Sequence, residues 1–228
     1  MNQFDLGEIA LDFGADGVRA AEAMAQANVA PSRAYQALKM ARDMGIDRQV
    51  VDLINSKHLE NLTGLRKFLG EVAQELSQGK LGKYNQLMEA YQRALRGDRV
   101  SLEGRRQVPG DAESGKADVI DYTQRQAVQM KTVTTESELG VVENVQAAID
   151  QLGGGRGEPP PQGFQRIADI RLEGANTPLR YASRAQVLAA LRGKLNHLGN
   201  LAPADATPGL VRVTNAISTF LFTPEELH

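Results

Sequence analysis

The spacing of apolar residues changes near residue 98, and that change bounds the fold more tightly than any other feature of the chain. Ahead of it, apolar side chains recur at helical intervals. Pro31 and Ser32 open a run that puts Ala34, Tyr35, Leu38 and Ala41 on one face, with Gly45 as its stop. Val50, Val51 and Ile54 share a face of a second short helix from Arg48 to about Ser56. Leu65, Phe68, Leu69, Val72, Ala73 and Leu76 form a single stripe, which Gly79 and Gly82 interrupt. Another helix then runs through Leu87, Met88, Tyr91 and Leu95 to Gly97. The first 60 residues therefore read as short helices, and a longer helical pair follows them.

Beyond residue 98 the signals are those of strands and turns. One strand is expected over Val100 to Val108, and PGDAESG is a turn-rich link. ADVIDY and QAVQMKTVT are two extended runs separated by Thr123, Gln124 and Arg125, the pattern of a hairpin. Ser137 can cap the next helix, along which Val141, Val142, Val145, Ala148, Ile149 and Leu152 make one apolar face. GGGRGEPPPQG reads as a loop, either a domain linker or the rim of a site. FQRIADIRLEG reads as a strand, SRAQVLAALRGKLNHLG as a helix and GLVRVTNAISTFLFT as one or two strands. This order predicts a mixed α/β core behind a small all-helical region, with the division near residue 60: residues 1–60, then residues 61–228.

Composition narrows the function. With 26 basic and 28 acidic side chains, the formal charge is -2, so no global positive field draws the chain to nucleic acid and any such contact must be local. The absence of cysteine excludes disulfide scaffolds, thiolate zinc sites and cysteine nucleophiles. No stretch approaches the roughly 20 apolar residues that span a bilayer. Acidic residues stand in MNQFDLGEIALDFGADG where an export signal needs basic ones, so action in an aqueous compartment is expected.

The chemistry concentrates in the expected hairpin. Residues two apart on a strand point to the same face, so Gln129 and Lys131 project together. Asp118 opens the partner run and falls within reach of both. A carboxylate and an amide carbonyl are hard oxygen ligands for Mg²⁺ or Mn²⁺. A lysine beside them can orient a water or offset charge that builds on a phosphoryl oxygen.

ADVIDYTQRQAVQMK resembles the D…(E/Q)xK core of the PD-(D/E)xK, or restriction-endonuclease-like, nucleases. The longer run through VVENVQAAIDQL to FQRIADIRLEG resembles the toxin-module branch of that superfamily, found in contact-dependent inhibition and other interbacterial effector proteins. The resemblance spans about residues 65–175. It implies a restriction-endonuclease-like mixed central sheet flanked by helices, a divalent metal (Mg²⁺ or Mn²⁺, with Zn²⁺ a further candidate) and phosphodiester hydrolysis. It also implies a cognate immunity protein and action in the cytoplasm, for a delivered toxin that of a target bacterium. Asp118 matches the metal-binding aspartate, Gln129 the (E/Q) position and Lys131 the lysine. An earlier helix often adds an acid to the metal site; Glu71 is the first choice for it, with Glu75 and Glu89 as alternatives. DNA is slightly preferred to tRNA as substrate. Glutamine at the middle position removes one negative charge from the site.

Blander readings stand beside these. Asp118, Gln129 and Lys131 can be solvated strand residues, Asp121 a turn residue, and Arg99, Arg105, Arg106 and Lys116 a hydrated basic surface rather than phosphate contacts. The histidines at 58, 197 and 228 show no ligand spacing, and His197 is expected within a helix. GGGRG lacks the Lys-Ser/Thr of a phosphate loop. Two other functions remain open: a catalytically inactive nuclease-fold module acting by protein–protein interaction, and a housekeeping DNA-processing nuclease.

Overall fold

The computed structural model describes residues 3–59, 62, 65–102, 117–154 and 159–228, and divides the chain into two compact units, Met1–Gly97 and Asp98–His228. The division falls at the switch of periodicity rather than near residue 60, because α4 (Leu65–Leu76) and α5 (Gly82–Leu95) join the helices before them.

The first unit is helical. α1 (Gln3–Gln26), α2 (Pro31–Asp43) and α3 (Asp47–Ile54) pack on one another, and α4 packs on α1 and α2. Its core includes Ile9, Met24, Leu38, Leu53, Phe68 and Leu76, all essentially inaccessible to water. The stripes read from the sequence in α2, α3 and α4 are the buried faces, except that Tyr35 and Leu65 are only half-buried. α1 is a longer element than the short helices expected, broken at Gly14, whose φ of 66° is left-handed. Glycine takes that conformation without the Cβ clash that penalises other residues, so the chain turns there and resumes as helix.

The second unit is built on a six-stranded sheet with strands in sequence order. β1 (Val100–Leu102), β2 (Val119–Asp121) and β3 (Gln126–Val133) are antiparallel neighbours. β4 (Gln165–Leu172) lies parallel to β3, and β5 (Leu210–Thr214) parallel to β4. β6 (Thr219–Phe222) returns antiparallel to β5. The described part of the expected strand 100–108 ends at Leu102; its remainder and the PGDAESG link lie outside the described residues. Parallel strands need a long crossover. α6 (Glu138–Leu152) supplies it between β3 and β4, capped by the Ser137 side chain, which accepts from the Gly140 N–H.

One sheet face carries the core of this unit. Val133, Ile170, Leu172 and Val213 meet Val145 and Ile149 of α6 in a single cluster. Burial of each such side chain contributes about 1.5–3 kcal/mol. The helix expected across 183–199 is shorter: α7 (Arg184–Leu191) stops where Arg192 becomes extended and Gly193 takes φ 69°, its N–H donating to the Leu227 carbonyl of α8 (Pro224–Leu227). His197 then sits in a left-handed conformation ahead of a single 3₁₀ turn, not in a helix. Among the described residues no helix is long and apolar enough to cross a membrane.

Candidate active site

β2 and β3 pair with Val119 opposite Val128 and Ile120 opposite Ala127, so the register continued by one residue sets Asp118 opposite Gln129. The side chains meet. Gln129 Nε2 donates to Asp118 Oδ2 at 2.6 Å, and the Met130 backbone N–H donates to the same oxygen at 2.7 Å. Asp118 is half-buried and Gln129 buried. Gln129 faces Ala168 and Lys131 faces Ile170 on the neighbouring strand, so both project from the same side of β3. Lys131 is half-buried.

A charge held at this depth needs partners, because burial without them costs several kcal/mol. The two donors on Asp118 Oδ2 are such partners. On its own face of the sheet Gln129 stands between Ala127 and Lys131 and beside Ala168 of β4, and both alanines are buried. An amide there satisfies part of its hydrogen-bonding capacity through Asp118, and its Oε1 is a second oxygen of the kind that hard cations take.

Among the described residues no group of three or more His, Cys, Asp or Glu is placed to hold a metal ion. The donors that converge are one carboxylate and one amide. That set suits Mg²⁺ or Mn²⁺, which keep waters and take one or two protein oxygens together with substrate phosphate, and suits Zn²⁺ poorly, since zinc sites take three or four His, Cys or carboxylate ligands.

Glu71 belongs to the helical unit, on α4, where its carboxylate pairs with Lys83 at 3.2 Å and Lys67 at 3.9 Å. Glu75 accepts the Lys83 backbone N–H at 2.8 Å and so ties the end of α4 to the first turn of α5. Glu89 is buried on α5, with Oε1 accepting from Nε and Nη2 of Arg93 one turn on, at 3.0 and 2.9 Å. Each of the three acids weighed from the sequence has a partner inside its own unit.

Asp121 is the turn or strand-end residue of the blander reading: fully buried at the end of β2, it accepts the Gln124 N–H at 2.8 Å, a side-chain bond that closes the hairpin turn. Arg99 lies over the Tyr122 ring at 5.0 Å. Arg105, Arg106 and Lys116 lie outside the described residues, as does most of GGGRG.

One polar cluster has no counterpart in the sequence reading. Asp169, at the centre of β4 and completely buried, accepts from Arg212 Nε at 2.8 Å and from Arg171 Nε at 3.3 Å. The sequence signal was Asp169-x-Arg171, a pair forced onto one face by strand alternation. No family model, curated protein or solved structure matches the chain.

Proposed function

We propose that this chain is a metal-dependent nuclease with a restriction-endonuclease-like core, acting as a toxin module on DNA in preference to tRNA. The observation that supports this reading best is the meeting of Asp118 and Gln129 across adjacent strands, with Lys131 projecting beside Gln129. That is the arrangement which the resemblance of ADVIDYTQRQAVQMK to the D…(E/Q)xK core implies. The antiparallel β2–β3 pair followed by the α6 crossover to a parallel β4 is compatible with the same core.

In this reading Asp118 and the Gln129 carbonyl hold Mg²⁺ or Mn²⁺. The ion, when bound, lowers the pKa of a water and polarises the phosphate. Lys131 orients the attacking water or offsets the charge that develops on a phosphoryl oxygen. Glu71 belongs to the site only if its replacement by Gln abolishes cleavage, since its ion pairs with Lys67 and Lys83 already give it a structural role. A toxin of this kind acts in the cytoplasm of the cell it enters and requires a cognate immunity protein in the cell that makes it.

The test incubates purified protein with plasmid DNA and with total tRNA, each with Mg²⁺, Mn²⁺, Zn²⁺ or EDTA, beside Lys131→Ala. Metal-dependent cleavage lost in the variant supports the nuclease and identifies the polymer. Folded wild type that cleaves neither polymer with any metal, and arrests no growth on expression, leaves instead a module that acts through protein contacts.

A further inference from the structure

We propose that Gln129 is a positioning residue for Asp118, and that glutamine rather than glutamate stands there because the position must donate a hydrogen bond. The geometry is specific. Two donors, Gln129 Nε2 at 2.6 Å and the Met130 N–H at 2.7 Å, converge on Asp118 Oδ2. One is main chain and fixed by the β2–β3 register; the other is the side chain of the residue that register sets opposite Asp118. Together they fix the rotation of the carboxylate.

An amide has a donor and an acceptor, so Gln129 can hold Asp118 through Nε2 while Oε1 serves another group. A glutamate is acceptor-only when ionised and would bring a second negative charge against Asp118 at hydrogen-bond distance. The pair would then hold together only with a cation between the two carboxylates. Gln129 thus pre-forms the carboxylate geometry before any ion arrives, and the charge it omits is the condition for doing so. The part concerning ions rests on the nuclease reading; the hydrogen bond does not.

The experiment measures thermal unfolding of the full chain at pH 8, in EDTA and in Mn²⁺, for wild type, Gln129→Glu, Gln129→Met, Asp118→Asn and the double substitution Asp118→Asn with Gln129→Glu. Calorimetric titration with Mn²⁺ accompanies it. In EDTA, Gln129→Glu is expected to melt about 4–8 °C below wild type, more than Gln129→Met does, because repulsion adds to the lost bond. Mn²⁺ should raise the melting temperature of both, and of Gln129→Glu by more, so that most of the gap between them closes. The double substitution removes one of the two charges and should return the EDTA melting temperature toward wild type. Gln129→Met should weaken Mn²⁺ binding about 10-fold or more, as loss of an orienting partner does.

Gln129→Glu melting at or above wild type in EDTA overturns the proposal. So does a double substitution that melts no higher than Gln129→Glu alone. If every variant melts as expected but none, wild type included, binds Mn²⁺, the positioning bond stands and the metal-dependent nuclease reading fails.

Discussion

Arg212, on β5, reaches across the parallel β4–β5 pair to the completely buried carboxylate of Asp169, with Nε 2.8 Å from Oδ1. The register sets the two directly opposite, and Arg171 engages the other oxygen from two residues further along β4. A carboxylate with no exposed surface is tolerable only when its charge is compensated. Removing it leaves cationic groups in the sheet without their shared counter-charge. Asp169→Ala is therefore expected to cost on the order of 3 kcal/mol, read as a lower urea midpoint at unchanged slope. A loss below about 1 kcal/mol would show that the cluster is an exposed-type pair in energetic terms.

The α6 crossover is expected to be the most sensitive packed element of the second unit. Ile149 and Val145 have no exposed surface and lie in the same cluster as Val133 and Ile170 of the sheet. Truncation of Ile149 to Ala removes the transfer energy of its methyl groups and leaves a cavity under a helix that spans β3 and β4. The expected cost is about 2–5 kcal/mol. Exposed Leu139, at the first turn of the same helix, serves as the control: Leu139→Ala should stay within about 0.5 kcal/mol.

Lys131 separates two kinds of catalytic work if the chain is a nuclease. Lys131→Ala should lower the single-turnover cleavage rate by about 10²–10⁴-fold, with the circular-dichroism spectrum unchanged. Lys131→Arg keeps the positive charge but cannot release a proton near neutral pH. Recovery of a tenth of the wild-type rate with arginine would assign the lysine to charge compensation; a loss as deep as that of alanine would assign it to proton handling at the water.

These residues also show what could be read before the structure. The hairpin carrying Asp118 and Gln129 was legible because ADVIDY and QAVQMK are two short extended runs separated by Thr123, Gln124 and Arg125, and a period of two fixes which side chains share a face. α6 was legible because Ser137 announces its start and six apolar residues mark its buried side. Asp169 was not, since a charge between apolar strand residues carries no sign of whether water or an arginine on another strand compensates it. Arg212 lies 43 positions away, and only the parallel pairing brings it close. The early end of α7 was hidden for a similar reason: Gly193 is held by the Leu227 carbonyl, a partner local propensity cannot see. The unit boundary was misplaced because α4 and α5 resemble the flanking helices of an α/β core as much as members of a helical bundle.

The last element of the chain is expected to loosen in acid. Arg184 Nη2 donates to Glu226 Oε1 at 2.6 Å and to the Leu221 carbonyl at 2.9 Å, linking the start of α7 to β6 and α8. That hydrogen bond is the main reason the Glu226 carboxyl titrates below the ordinary carboxylate range; the Thr223 N–H, donating to Oε2, adds to it. A carboxyl whose folded-state pKa is depressed contributes stability above its unfolded value and loses that contribution as the pH falls through the folded value. Glu226→Gln should thus melt below wild type at pH 7, with the gap closing as the pH falls through the carboxylate range. The pair is on the surface, so the gap should also shrink in 1 M salt, where charges are screened within about 3 Å. A gap constant from neutral pH to pH 3, and indifferent to salt, would show that Glu226 acts through the geometry of its cap on Thr223 and not through its charge on Arg184.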